Sequence, residues 1–297
     1  MKNRLVILTF VLLSILACGV QATTVKQNFN ADPFSNGWSK AESTYNVFTY
    51  NTTNNVSGTP GYLDCSVQRS NTVLGTAYIP LGQTYYMPGS QSGTPTVTDM
   101  WMGFDLMFAN GTFTTQQACI GLINGDATLT NTATQNSLGL DICRTAGALR
   151  IRQETDNAAG AFAGTSVGTT MATLDDGLTH RYQVHYYLAG DGKVYADIKL
   201  GTFDVGTGAF TSSIFSQNGI LLYDSAANWD LYGIDALGIK SLSMATSGTR
   251  TVKFVIDNMY FSTDGEQYMA VPSWVVPEPA TITMLIIGGL LLRRKNS

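Results

Sequence analysis

Three groups of residues in this chain have types and spacings that could do chemistry. The first is Pro277-Glu278-Pro279, followed by the uncharged run 280–292 and then by Arg293, Arg294 and Lys295. Two prolines fix backbone angles around Glu278 and favour an extended, solvated segment. A protease or transpeptidase binds such a segment directly, whereas a helix would first have to unwind. The second group is aromatic. Trp101, Tyr187 and Tyr195 stand at the outward positions of alternating runs, where flat rings can stack on the apolar faces of sugars. The third group carries oxygen: Asp175-Asp176, Asp191 and Asp257-Asn258 lie in or near turns and could contribute to a calcium site, which takes roughly six to eight oxygens. Each group also has an ordinary reading. The tail could be an ordinary C-terminal anchor, Asp caps turns, tryptophans such as Trp38, Trp101 and Trp229 fill cores, and Tyr187 and Tyr195 could be a cross-strand pair.

Other chemistries lack their residues. Glycoside hydrolysis needs two placed carboxylates, and Glu42, Glu154 and Glu266 are scattered. His185, on the polar face of a strand beside Arg181, reads as a solvated structural histidine, and His180 as a turn residue. No cysteine pair combines with the two histidines at zinc-ligand spacing. The body is therefore expected not to be an enzyme.

The elements that position these groups begin with two terminal signals. Lys2 and Arg4 precede an apolar run from Leu5 to Leu16, and Val20-Gln21-Ala22 offers small residues for cleavage between Ala22 and Thr23. Residues 1–22 thus read as a signal peptide. At the other end, the run 281–292 would cover roughly 18 Å as a helix, short of a hydrocarbon core of roughly 30 Å. Ala280 and snorkelling Arg and Lys stems extend its reach, so 280–292 reads as a short transmembrane segment. Arg293, Arg294 and Lys295 would hold its end in the cytoplasm and place the body outside.

Without the five basic residues of the two ends, twelve Lys and Arg face 21 Asp and Glu, a balance of −9. That balance argues against nucleic acid and against an anionic membrane surface as partners. Asp outnumbers Glu by 17 to 4, which favours turns over helix interiors. Of the cysteines left after signal cleavage, Cys119 and Cys143 stand on consecutive predicted strands and could pair. Cys65 alternates with Leu63 and Val67 and reads as a buried hydrophobe.

Period-two alternation dominates the body. Met100, Met102, Phe104, Leu106 and Phe108 form one inward set. Tyr182, Val184, Tyr186 and Leu188 form a second, and Val194, Ala196, Ile198 and Leu200 a third. Such runs predict strands with one face on a core and one in water. Ala189-Gly190-Asp191-Gly192 predicts the hairpin between the last two, and Asn228–Leu237 predicts one short helix. Residues 23–270 thus read as a single antiparallel β-sandwich of jelly-roll type, with no linker or repeat dividing it.

The order of parts in 271–297 resembles the PEP-CTERM sorting tail, a substrate of exosortase-type transpeptidases in bacteria that export polysaccharide. The resemblance implies recognition of Pro277, Glu278 and Pro279 by such an enzyme. It also implies anchoring in the inner membrane as a precursor, then release to the cell surface or extracellular matrix. In the body, Asn28-Phe29-Asn30 with Gly37-Trp38 looks like the opening strand of exported jelly rolls. Gly103-Phe104-Asp105-Leu106, Ile120-Gly121-Leu122-Ile123 and Val255–Phe261 add a similarity to the laminin-G/concanavalin superfamily. A galactose-binding-like jelly roll begins and ends in much the same way, and there a structural calcium would recruit Asp32 and Asp257. Laminarinase-type hydrolases of the concanavalin fold would show Glu-x-Asp-x-x-Glu; Glu154-Thr155-Asp156 begins so but lacks the second Glu. The expectation is a non-enzymatic surface or matrix protein associated with exopolysaccharide. The alternatives are a calcium-dependent lectin-like module, with Trp101, Tyr187 and Tyr195 as glycan contacts, and a glycan hydrolase.

Overall fold

The computed structural model describes residues 24–44, 46–53, 57, 61–68, 75–85, 97–108, 118–123, 137–142, 148–154, 163–170, 174, 176–223, 234–241 and 251–263. The signal peptide, the Pro277-Glu278-Pro279 tail, Trp229 and Cys143 lie outside them. No helix among the described residues is long and apolar enough to cross a membrane.

In chain order the strands are β1 (Thr24–Gln27), β2 (Ser39–Ala41), β3 (Val47–Asn51), β4 (Tyr62–Gln68) and β5 (Thr76–Tyr85). They continue with β6 (Asp99–Phe108), β7 (Ala118–Ile123), β8 (Ser137–Ile142), β9 (Ala148–Glu154) and β10 (Ala163–Thr170). The last are β11 (His180–Leu188), β12 (Val194–Thr202), β13 (Phe215–Tyr223), β14 (Ile234–Ser241) and β15 (Thr251–Ser262). They form two antiparallel sheets. The larger runs β13-β12-β11-β6-β15-β4-β3, with β1 also on β15, and the smaller runs β10-β9-β8-β7-β14-β5-β2. Strands distant in sequence lie side by side, the mark of a jelly roll rather than a meander.

The alternation read from sequence packs as it predicts. Met100, Met102, Phe104 and Leu106 on β6 are fully buried, as are Tyr182, Val184 and Tyr186 on β11. They meet Ile120, Leu122, Leu237 and Ile239 of the smaller sheet in one continuous core. Each buried side chain of this size contributes about 1.5–3 kcal/mol. Trp38 is a core residue packed on Phe29, their ring centroids 5.3 Å apart. Cys65 is buried in the same core, and burial pushes its thiol well above the ordinary range. Cys119 is likewise buried, on β7.

Two expectations are corrected. Residues 234–237, read as part of a short helix, begin strand β14, which lies between β7 and β5 and is buried along most of its length. Pairing on both edges and burial on both faces override the local helical pattern there. His180 is no turn residue: it opens β11 with its side chain fully buried.

The predicted hairpin joins β11 to β12. Gly192 N–H donates to Ala189 O at 3.0 Å, and Gly192 has φ of +78°, a conformation that favours glycine. The register it sets places Tyr187 opposite Tyr195, His185 opposite Asp197 and Gln183 opposite Lys199. On the other side of β11, Tyr187 faces Asp99, His185 faces Trp101 and Arg181 faces Asp105. These are outward positions of three adjacent strands.

Candidate functional site: the outer face of the larger sheet

The outer face has two ends. At one, Arg181 is almost fully buried although its position faces outward. Its Nε donates to Asp105 Oδ1 at 2.7 Å and its Nη2 to Oδ2 at 2.9 Å. Nη1 donates to Gly208 O at 3.0 Å, and the guanidinium lies 3.8 Å from the centroid of the Phe203 ring. Asp105 is paired across the ladder with Asp257, a second fully buried acid. A register shift in β15 follows Asp257, where Asn258 has φ of +49°. Asn258 Nδ2 donates to Asp105 Oδ2 at 2.8 Å, and its backbone N–H donates to Asp257 Oδ1 at 2.7 Å. Burial pushes the Asp105 carboxyl up, while the Arg181 fork and the Asn258 amide pull it down.

The β12–β13 connection walls this end. A Cβ at Gly201 would come within 2.0 Å of Ser212 O, so the chain lies directly on the sheet there. Polar groups at this end are spent on the fold.

The other end is open and holds a row of rings. Trp101 and His185 stack with centroids 3.9 Å apart and planes 5° from parallel. His185 and Tyr187 follow at 4.9 Å, then Tyr187 and Tyr195 at 5.9 Å. All four residues are partly exposed. His185 Nε2 lies 2.6 Å from Asp99 Oδ1, and Nδ1 lies 3.9 Å from Asp197 Oδ2. An ionised carboxylate only accepts, so Nε2 carries hydrogen and donates to Asp99. Asp197 Oδ1 accepts from Gly219 N–H at 2.7 Å and from the Tyr187 hydroxyl at 3.4 Å. The Tyr195 hydroxyl donates to Asp191 Oδ2 at 2.8 Å; this bond pulls the Asp191 carboxyl down and pushes the Tyr195 phenol up. Burial, then the Asp197 charge, pushes the Tyr187 phenol up, so that ring keeps its proton at neutral pH. Next to the ring row, Gln183 lies between Lys199 and the side-chain-free Gly103.

Trp101, Tyr187 and Tyr195 are thus brought together as one row on the outer face. His185 belongs to the same row, only 16% exposed, which corrects its reading as a solvated histidine. Asp175 lies outside the described residues, and the described oxygen-bearing side chains are engaged locally. Asp32 accepts from Phe34 N–H and the Ser35 hydroxyl, capping the short 3-10 turn Pro33–Ser35. Asp257 is buried in the walled end, and Asp191 serves its own hairpin. No cluster of three or more His, Cys, Asp or Glu able to hold a metal ion occurs among the described residues. Sequence reasoning missed Asp99 and Asp197. Both share the outward parity of Trp101 and Tyr195, and only the cross-strand register shows that they flank His185.

No family model matches the chain, and no curated protein matches it in sequence. Solved structures match in fold. An endo-β-1,4-glucuronan lyase from the fungus Trichoderma reesei matches at a TM-score of 0.50 and 11% identity, covering 82% of this chain and 100% of its own. The alginate lyase Aly36B, solved with an alginate tetrasaccharide, matches at 0.44 and 11%, covering 80% and 96%. Arcelin-5, a lectin-like defense protein from Phaseolus vulgaris, matches at 0.46 and 12%, covering 81% and 99%. The architecture is that of the jelly-roll β-sandwiches. The expectation of a non-enzymatic body is overturned by the glucuronan lyase. That expectation rested on the carboxylate pair hydrolysis requires, and a lyase shares the fold over four-fifths of this chain.

Proposed function

We propose that this chain is an exported polysaccharide-engaging protein, and that the open end of the larger sheet is where it meets the glycan. The observation that carries this reading is the row Trp101–His185–Tyr187–Tyr195, partly exposed and flanked by Asp99 and Asp197. Rings supply apolar contact and carboxylates accept from sugar hydroxyls, the combination on which sugar sites are built. The glucuronan lyase that shares the fold acts on a polysaccharide, which supports it. Export and sorting rest on the terminal sequences. The chain enters by its signal peptide, is cleaved between Ala22 and Thr23, and is held by 280–292 with Arg293, Arg294 and Lys295 inside. An exosortase-like enzyme then reads Pro277-Glu278-Pro279 and passes the body to the surface or matrix. The test is a glycan-array assay of the purified full chain beside its Trp101→Ala variant. Binding that the variant loses supports the reading, and binding equal in both places the site elsewhere. Glu278→Gln in the producing cell is expected to leave unprocessed precursor.

A second reading is favoured by the 2.6 Å His185–Asp99 pair. With Nε2–H committed to Asp99, Nδ1 carries the lone pair and can take a proton. Tyr187, holding its proton, can give one to a departing glycosidic oxygen. A base and an acid on one face are what β-elimination at a uronic acid requires. The reaction breaks the C–H bond next to the carboxylate and the glycosidic C–O bond, and forms a C=C bond. Incubation with glucuronan and alginate, followed by ultraviolet absorbance of the unsaturated ends, tests it: His185→Ala is expected to abolish the signal.

A further inference from the structure

The charge around the ring row is of the wrong sign for a polyuronate. This observation deepens the glycan-binding reading, on which it rests. Among the described residues two carboxylate oxygens at the open end accept no hydrogen bond: Asp99 Oδ2, and Asp197 Oδ2, which lies 3.9 Å from His185 Nδ1. Asp99 is 48% exposed and Asp197 35%, on opposite sides of His185. Of the cations on the same face, Lys193 adjoins the Asp191 carboxylate at the hairpin and Lys253 the Asp64 carboxylate on the neighbouring strand. Arg181 is consumed by Asp105 and Gly208 in the walled end. Lys199 Nζ lies 4.4 Å from the centroid of the Phe210 ring, drawn toward the wall. Outside residues 1–22 and 271–297, twelve Lys and Arg face 20 Asp and Glu, and this balance of −8 adds a long-range field of the same sign.

We infer that the open end takes an amino-sugar glycan, one whose 2-amino groups are free and protonated. Apolar sugar faces would lie along the Trp101–Tyr195 row while ammonium groups reach the free oxygens of Asp99 and Asp197. The rings also favour a cation, because their faces carry negative potential. An N-acetylated polymer presents the same ring shape without the charge, and a polyuronate presents the opposite charge.

The experiment is a calorimetric titration of the purified full chain with four soluble oligosaccharides of matched length. These are a glucosamine polymer, its N-acetylated form, a neutral β-glucan and an alginate, each at low and high salt. The expected order places the free-amine polymer tightest, with its advantage lost in high salt. Asp99→Asn and Asp197→Asn are each expected to weaken that polymer about fivefold, the range of one exposed ion pair, and to narrow its advantage over the N-acetylated form. Circular dichroism checks that both variants fold, and the salt titration of the unaltered chain needs no variant. Equal affinity for the amine and acetylated forms overturns the inference while leaving the glycan site standing. So does tighter binding or cleavage of alginate, which supports elimination chemistry instead. Binding of no glycan overturns the site and the inference together.

Discussion

The two ends of the outer face are built on the same strands with the same alternation, yet they spend their polar residues oppositely. At the walled end Arg181, Asp105, Asp257 and Asn258 are buried and turned on one another beneath the 203–212 connection. At the open end Asp99, Asp197 and His185 keep solvent contact, and two carboxylate oxygens accept no hydrogen bond among the described residues. The lesson is that outward parity does not by itself mean availability. What decides is whether a loop crosses the face and whether the register brings opposite charges together.

The largest expected effect comes from breaking the walled end. Arg181→Met removes the cation paired with buried Asp105 while keeping most of the side-chain volume. An uncompensated buried charge costs about 3–5 kcal/mol, and urea denaturation is expected to show a loss of that size. Glycan affinity of the folded variant is expected to stay the same. A loss below about 1 kcal/mol, the level of a surface pair, would mean the two ends do not differ as described.

Trp101→Ala probes the open end and reverses the pattern. Trp101 is partly exposed and stacked on His185, and such a ring pair contributes about 0.5–1.5 kcal/mol. Stability is therefore expected to fall by about 1 kcal/mol. Glycan affinity is expected to fall by about 2 kcal/mol, roughly thirtyfold, as for a central aromatic contact. A stability loss as large as that of Arg181→Met would make Trp101 a structural residue.

Much of this was legible in the sequence. The inward sets on β6, β11 and β12 follow from period-two alternation, and the same parity turned Trp101, Tyr187 and Tyr195 outward correctly. The Gly192 turn fixed which residues of β11 and β12 meet. What was not legible depends on long-range pairing. Arg181 and Asp105 lie 76 residues apart, and nothing local says that their strands adjoin. Asp99 and His185 are likewise separated by 86 residues. Ile234–Leu237 read as helix because local propensity there carries no information about the partners on either side. Asp257 looked like a metal ligand because burial of an acid cannot be seen without the layer that covers it.

The inward neighbour of Arg181 offers a pH test that separates core from surface. His180 is fully buried, and burial holds its imidazole below the ordinary value, although Asp176, 3.3 Å from Nε2, pulls it up. The unfolded chain therefore binds the proton first, at about pH 6.5. Stability from this group is complete above that value and is lost as the pH falls through it and below. Thermal melts of the chain are expected to drop between neutral and mildly acidic pH, with a shallower drop in His180→Gln. Identical slopes in the two proteins would remove His180 as the cause.

The smallest expected effect is also the sharpest contrast. Asp99→Asn removes the acceptor of a short hydrogen bond, as Arg181→Met removes the donor of another, but here the surviving partner is His185 at the water's edge. His185 is partly exposed and can keep both its stack on Trp101 and a hydrogen bond to the new amide, which a stranded buried carboxylate cannot match. Asp99 is 48% exposed, so solvent already screens the pair. The expected change in stability is under about 0.5 kcal/mol, close to the limit of a denaturation curve. Equal costs for Asp99→Asn and Arg181→Met would show that the cover over the walled end contributes nothing to its electrostatics. A cost ratio of about tenfold, set by burial of the partner left behind, is the outcome the two environments predict.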